Sequence, residues 1–438
     1  MFPSDKFKGT FENTKTYNNA NNNLNTNHPI ISNSEENLYY KKYISIHSED
    51  RDPLKFPLSS EFDIELPEDL LNVLSIRLTD WTFPANYNTF SIYNNNISMT
   101  FLINNPYDPT TNIINNLQYA IYECLFYTSQ NNYRIVISEG FYNPVQMITE
   151  LTNKFNEAVT NRIITYFNNI ITNPSENKTG FDYTILLQEF TDSGGYNNFK
   201  IVYNNVGQKI WYGNTTDGFI LTTSNTVIQQ GLSNNLSCGI KEQLPDFSNW
   251  GLPGNLGLTR CDVDSIATSN INTARFYYGD VFTGDNGYWL LPNSSLPGSQ
   301  IHYIESPFKI NLMGPSHFYM ELAGQNCIDE TSPYNVSSFT LHTNTTNGRV
   351  NSAFAKIAVP AVPICQWFDK ISLPYKIYTP PAERIRKLNI KLRYHNGLAV
   401  NFGNFDYSFT LEFILLIPTQ SRRIFSYSNI AGFNQAYL

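Results

Sequence analysis

The chain has 438 residues, and 29 Lys+Arg against 37 Asp+Glu leave a formal net charge of −8. That balance argues against a free-standing nucleic-acid binder working by broad phosphate neutralisation. Charged residues make up only 15%, aromatics another 15%, and there are 57 asparagines, so amides and hydroxyls carry the polarity while the aromatic share excludes global disorder.

The longest apolar runs, such as residues 413 to 418, fall far short of the ~20 residues that span a bilayer, and Met1 to Lys6 lacks an apolar signal core. The expectation is a soluble, non-secreted chain without a membrane span. Five cysteines, Cys124, Cys238, Cys261, Cys327 and Cys365, are odd in number and show no CxxC or CxxH spacing. Reduced, mostly buried thiols are expected rather than a zinc knuckle or a disulfide framework.

Residues 1–40 centre on Asn18 to Asn23 and have almost no aliphatic spacing, so they cannot bury themselves as a core. They read as an extended arm, with Asn19, Asn22 and Tyr39 as candidate contacts to neighbouring chains. From Tyr39 onward the pattern is short alternating segments: 43–46, 62–66, 73–78 and 97–101, punctuated by Pro67, Pro84 and Asn94 to Asn96. Period-two alternation predicts four opening strands.

Residues 144 to about 160 predict the one clear helix. Asn143 suits the cap, Pro144 the first helical position and Gln146 the far side of a capping box, with Met147, Ile148, Leu151, Phe155 and Ala158 on one face. A strand is predicted before it at 133–138, and a hairpin after it, 181–190 with 199–203, turning at 192–195. Residues 104–132 and 205–300 read as loop insertions, the latter rich in Gly, Asn, Thr and Trp with short strands such as 218–222. Strand patterns return at 317–322, 352–359, 375–378, 387–394 and 407–416, broken at Pro380-Pro381 and Asn396-Gly397. No repeat of fixed period is present.

About a dozen strands with one good helix predict an all-β fold, a jelly-roll-like antiparallel β-sandwich at 41–418 with long loop insertions, and a polar, aromatic tail at 419–438.

Catalytic signatures are sparse. Six histidines form no HxH, HExxH or HxxxH pair, and no GxSxG, Walker-type or GxGxxG run occurs. Gly251 to Gly257 is glycine-rich but precedes no helical pattern, so it reads as a loop. Asp262 and Asp264 lack the Gly and terminal Glu of an EF-hand and read as a solvated turn. The acidic pairs there and at Glu49 to Asp52 are what a β-sandwich glycosidase would need, although acids in turns are far commoner. No catalytic, cofactor or metal residue is assigned. Seven Asn-x-Ser/Thr sequons, at Asn96, Asn177, Asn214, Asn235, Asn293, Asn335 and Asn344, are what chance gives in so Asn-rich a chain.

Basic residues gather near the end at Arg384, Arg386, Lys387, Lys391 and Arg393, with Arg422 and Arg423 beyond. Along 387–394, Leu388, Ile390, Leu392 and Tyr394 share one face while Lys387, Asn389, Lys391 and Arg393 share the other. The plain reading is a solvated strand face that discourages edge aggregation; the functional one is docking onto an acidic neighbour.

Three stretches taken together resemble a known family. Ser48-Glu49-Asp50-Arg51-Asp52, then Glu61 to Pro67, then Asn72-Val73-Leu74-Ser75-Ile76-Arg77-Leu78 with Phe83-Pro84, follow the opening of minor capsid proteins of nucleocytoplasmic large DNA viruses. Glu139-Gly140-Phe141-Tyr142 entering a helix, and 384–397 with 409–413, are similar to the same family. The resemblance implies a β-sandwich without catalytic residues or cofactors. It also implies a place in the capsid shell of the virion, on the inner face or between capsomers, with the major capsid protein and other minor capsid proteins as partners, and self-association besides. A second reading is a carbohydrate- or receptor-binding virion module, in which Trp211, Trp250 and Trp289 would line a sugar platform.

Overall fold

The computed structural model describes residues 39–84, 89–111, 115–128, 131–223, 251–268, 288–330, 352–359, 367–369, 375–395 and 397–417. Most of the N-terminal arm, the tail, and with them Asn19, Asn22, Arg422 and Arg423, lie outside the described residues, as does Trp250.

In chain order the first half runs β1 (Tyr39–His47), β2 (Glu61–Phe83), β3 (Ser98–Asn105), α1 (Asn116–Tyr127), β4 (Tyr133–Val136), α2 (Pro144–Thr172), α3 (Tyr183–Asp192), β5 (Phe199–Asn204), β6 (Lys209–Asn214) and β7 (Gly218–Leu221). The second half runs α4 (Leu252–Asn255), β8 (Val263–Asp264), β9 (Ile266–Thr268), β10 (Ile301–Glu305), β11 (His317–Leu322), β12 (Ile328–Asp329), β13 (Ser352–Ala353), β14 (Ala355–Ala358), β15 (Trp367–Asp369), β16 (Tyr375–Arg393) and β17 (Ser408–Leu416).

One seven-stranded antiparallel sheet takes the order β1-β17-β2-β16-β11-β14, with β15 also paired to β2. It is built from the two ends of the described chain. Its apolar face carries Ile44 and Ile46 from β1, Phe62 and Ile76 from β2, Leu411 and Phe413 from β17, Leu388 and Ile390 from β16, and Ile357 from β14, all in one core cluster. Strands from both edges share that cluster because the sheet curls into a half-barrel. Phe83 lies near its centre, with ring centroids 4.9 Å from Tyr407 and 5.0 Å from Phe318.

The middle of the chain builds a second core. Two four-stranded sheets, β4-β3-β7-β8 and β5-β6-β10-β9, contribute apolar faces to one cluster together with α2. Phe155 of α2 stacks on Phe101 of β3 at 4.4 Å and meets Phe199 of β5 at 5.1 Å, so one helical side chain joins both sheets. The molecule is predominantly antiparallel β with few helices, consistent with the all-β sandwich that the alternation predicted.

Several elements depart from the sequence reading, each for a physical reason. The segments at 62–66 and 73–78 are one strand, β2, because Pro67 falls in a register shift between Glu65↔Lys387 and Leu70↔Ile385, where no ladder donor is required. Pro380-Pro381 likewise falls in the shift between Ile377↔Ser75 and Ala382↔Val73, so β16 runs through it. The capping box of α2 is present, with Gln146 N donating to Asn143 Oδ1 at 2.8 Å and Asn143 N to Gln146 Oε1 at 3.0 Å. The helix nevertheless continues to Thr172, because Val159, Ile163, Phe167 and Ile170 prolong the buried stripe.

The predicted hairpin at 181–190 is instead the helix α3. Asp182 caps it by accepting from Thr184 N at 3.0 Å, and Tyr183, Leu186 and Phe190 bury one helical face. Gly194 and Gly195, at φ 85° and 78°, end it, with Gly195 N donating to Phe190 O at 3.0 Å. Residues 104–132 contain α1, and the glycine-rich run at 251–257 holds the one-turn α4. Gly257, at φ 78°, passes so close to Phe308 that an added Cβ would sit 2.3 Å from its carbonyl oxygen.

Phe155→Ala should destabilise the fold by about 3–5 kcal/mol, because a fully buried ring that bridges two sheets leaves a cavity. Urea unfolding of the full chain measures this.

Candidate functional site

The face of the seven-stranded sheet turned away from its core is a charged lattice, formed where outward positions of neighbouring strands stand opposite one another. On β17, Glu412 is buried, accepts from Tyr43 Oη at 2.7 Å, and takes Arg77 Nη2 at 2.9 Å on each carboxylate oxygen. Lys41 Nζ lies 3.6 Å from the same carboxylate. Burial alone would raise the pKa of Glu412; the Tyr43 hydroxyl, Arg77 and Lys41 outweigh it and hold the carboxyl below its ordinary value.

Further along, Asp63 of β2 accepts from Lys387 Nζ and Asn389 Nδ2, both at 2.5 Å. Those two bonds lower its pKa. Arg384 Nη2 pairs with Asp69 at 2.6 Å, and Arg386 lies 3.8 Å from Glu65. Lys391 stands opposite Glu61 on one side and Glu321 on the other. Within the chain, the basic face of β16 thus stands beside acids of β2 and β11.

Arg393 does not share the exposed position of Lys387 and Asn389. Its outward-directed side chain is only 3% exposed; its Nε bonds Glu321 and its Nη2 bonds Glu330, beside Asp329 of β12. Its guanidinium also lies 5.2 Å from the Tyr319 ring centroid. Burial would lower its pKa, and the two carboxylates reverse that and raise it. Glu330 Oε2 in turn meets Nδ1 of the half-exposed His395 at 2.6 Å. Ser316 Oγ lies 2.9 Å from His317 Nδ1, but these are consecutive residues, and no carboxylate among the described residues hydrogen-bonds that imidazole to orient it as a base.

Of the stretches that carry the family resemblance, Ser48 to Asp52 forms one corner with the residues before β17. Ser48 Oγ donates to Asp406 Oδ1 at 2.8 Å and accepts from Tyr407 N at 2.9 Å. Arg51 Nη1 reaches the same Asp406 oxygen at 2.5 Å and Ser48 O at 2.7 Å, while its Nε donates to Phe56 O at 3.2 Å. Asp52 Oδ1 accepts from Leu54 N at 3.0 Å. The β1–β2 connection is thereby fastened to the β16–β17 connection. In the second motif, Glu139 Oε1 accepts from Ile92 N at 2.6 Å, Gly140 bridges Phe90, and Tyr142 Oη donates to Ser138 O at 2.7 Å.

Tyr39 opens β1 and is half-exposed. Trp211 and Trp289 are buried and pack against each other with ring centroids 5.7 Å apart, which corrects the expectation that they are exposed for a sugar. Among the sequon asparagines, Asn214 is fully buried, and Asn96, Asn177 and Asn293 spend their side chains on local backbone groups. Cys124 is buried, its thiol pushed up to about 12 by burial, whereas Cys261 and Cys327 are exposed.

Sequence reasoning missed Glu321 and Glu330, which no local pattern marks. It also missed a buried network in the second core. There Asp217 Oδ2 accepts from Tyr196 Oη at 2.6 Å and Thr216 Oγ1 at 2.8 Å, and Oδ1 from Tyr107 N at 2.7 Å. Asn214 Nδ2 donates to Tyr196 Oη at 2.7 Å. A carboxylate with that many donors is a structural anchor. Among the described residues no group of three or more His, Cys, Asp and Glu could hold a metal ion, and no helix is long and apolar enough to cross a membrane.

No protein-family model matches the sequence, and no curated protein matches it. Among solved structures the chain is similar to the mavirus penton protein, at 8% identity, over 87% of this chain and 100% of that one, with a TM-score of 0.33. A similarity of that size leaves function to be argued from the residues.

Two outcomes are expected. Arg393→Ala should cost about 3–5 kcal/mol in denaturant unfolding, because it leaves the buried Glu330 carboxylate with the half-exposed His395 in place of its guanidinium partner. A carboxyl with a depressed folded pKa stabilises above its ordinary value, 4.5 for Glu412, and that contribution is lost as pH falls through the folded value. Acid titration of stability should therefore steepen below about pH 4.5, and Glu412→Gln should flatten that limb.

Proposed function

We propose that this chain is a structural, non-enzymatic minor capsid protein of a large icosahedral DNA virus, which links or cements major capsid capsomers from the inner face of the shell or between capsomers. The observation that carries the reading is the Ser48–Arg51–Asp406 corner: Ser48 and Arg51, in the first of the stretches that resemble that family, are spent on fastening two strand connections to one another. A motif used in this way serves shape, and shape is what a shell component supplies. The sheet faces support the same reading, since ion pairs and amides hold the strands in register while tyrosines remain at the surface for contact.

The partners in this proposal are the major capsid protein, other minor capsid proteins and further copies of the chain. Arg384, Arg386 and Lys391 keep exposed or half-exposed side chains, and Tyr39 lies on an outer strand, so they are the contacts offered by the described residues. Asn19, Asn22, Arg422 and Arg423 extend the proposal to the arm and tail. The carbohydrate-binding alternative loses its platform with the burial of Trp211 and Trp289.

Mass spectrometry of purified virions tests the assignment: the chain should be present in stoichiometric rather than trace amount, and its absence would end the capsid reading. Arg51→Ala, which removes the corner, should lower stability by about 1–3 kcal/mol and reduce the amount packaged.

A further inference from the structure

His302 is a titratable side chain that the sheet lattice does not use, and it is only 5% exposed. It lies on β10, opposite Asn214 of β6 on one side and Ala267 of β9 on the other. Alternation puts it on the same face of β10 as Ile304, which enters the second core, and beside the fully buried Asn214.

That face meets the other four-stranded sheet. Gly218 opens β7, and a Cβ added to it would lie 3.3 Å from His302 Nδ1, 2.8 Å from Asn105 Cβ and 3.1 Å from Asn104 Oδ1, the last two on β3. The β3–β7 ladder shifts register at the same place, between Ile103 and Asn105. The imidazole thus fills a junction where a strand of one sheet packs on an interrupted ladder of the other.

A neutral ring suits that junction and a charged one does not. Asp217, the residue before Gly218, is the charged group that acts on it, and no carboxylate among the described residues hydrogen-bonds it. The Asp217 oxygens are already engaged by Tyr107 N, Tyr196 Oη, Thr216 Oγ1 and Asn198 Nδ2. The other elements packed there present Asn104 and Asn105 of β3, Asn214 of β6 and Ala267 of β9, with the phenols Tyr196 and Tyr212, which burial holds well above their ordinary value and therefore neutral. Burial, against the pull of Asp217, holds the imidazole below its ordinary value.

We infer that His302 is an acid-sensitive latch on the second core: on taking up a proton it parts β10 and β6 from the β3–β7 pair, while the seven-stranded sheet stays closed. In the opened form the ring charges near its ordinary 6.5, and in the closed form only at lower pH. Closure is therefore undiminished above 6.5 and weakens as pH falls from there towards the folded value. The window begins above the ordinary 4.5 of Glu412, so the two acid responses separate. His317, held below its ordinary value by burial, Lys356 and His395, lies on β11 of the seven-stranded sheet and supplies the control. The inference does not depend on the capsid assignment.

Amide hydrogen exchange of the full chain, read by mass spectrometry at about pH 7.5 and about pH 5.5 and corrected for the intrinsic pH dependence, tests it. Peptides of β6, β7 and β10 should lose about three- to tenfold in protection on acidification, the reach of one imidazole a unit below its ordinary value, while those of β2 and β17 lose less than about twofold. His302→Gln, with His302→Phe as a second neutral replacement, should abolish the loss, and His317→Gln should leave it in place. Exchange at the histidine C2 position reads the proton in the wild type itself, where His302 should titrate below 6.5. Unchanged protection in the wild type, a loss shared equally by β2 and β17, a loss that survives either neutral replacement, or titration of His302 at or above 6.5 would overturn the latch and leave the virion measurement unaffected.

Discussion

The pairing of β2 with β16 and β17 is the constraint on which the rest depends. A strand near the start of the described chain lies between two strands near its end, with Glu61 opposite Lys391 and Trp81 opposite Phe409. Everything from Phe90 to Leu312 that builds the second core is thus enclosed between chain ends that are zipped together. Such contacts form only after a long loop has closed, so they are entropically costly and must be secured once made. The Phe83, Phe318, Phe402 and Tyr407 rings secure them on one face, and Glu412–Arg77, Asp63–Lys387 and Arg393–Glu330 on the other.

The two faces of that sheet hold it by different physics. The apolar face gains from burial and is indifferent to pH. The charged face adds little net energy where it is exposed, as at Arg386–Glu65, but it penalises any slipped register, because a one-residue shift would set Lys387 and Arg393 against apolar groups. Where the charges are buried, as at Glu330 and Arg393, a missing partner is expensive, and so the centre specifies one arrangement. The Ser48–Arg51–Asp406 corner applies the same logic to backbone connections.

Much of the local structure was legible. Alternation in 43–46, 317–322 and 407–416 marked strands, and Asn143, Pro144 and Gln146 marked the start of α2, because period and capping are properties of neighbouring residues. Local reading failed where a proline was absorbed by a bulge, at Pro67 and Pro380-Pro381. It failed again where a short apolar run fitted two periods, at Tyr183 to Phe190. The inward and outward faces of 387–394 were read correctly as a period, yet the surroundings of Arg393 were not, since Glu321, Glu330 and Tyr319 come from strands remote in sequence.

The low charge, abundant amides and alternating aromatics by themselves determined a β-rich chain whose polar groups bond locally and whose apolar groups form sheets. They also determined where the helix α2 begins and which side chains of each strand face together, since all of this is set by residues a few positions apart. Only the tertiary structure decided that β2 is one strand flanked by the far end of the chain, that acids of β2 and β11 stand against the basic face of β16, that Trp211 and Trp289 are covered, and that β1, among the described residues, pairs with β17. Those outcomes rest on pairings between distant segments, whose free energy depends on burial and geometry that no local pattern contains.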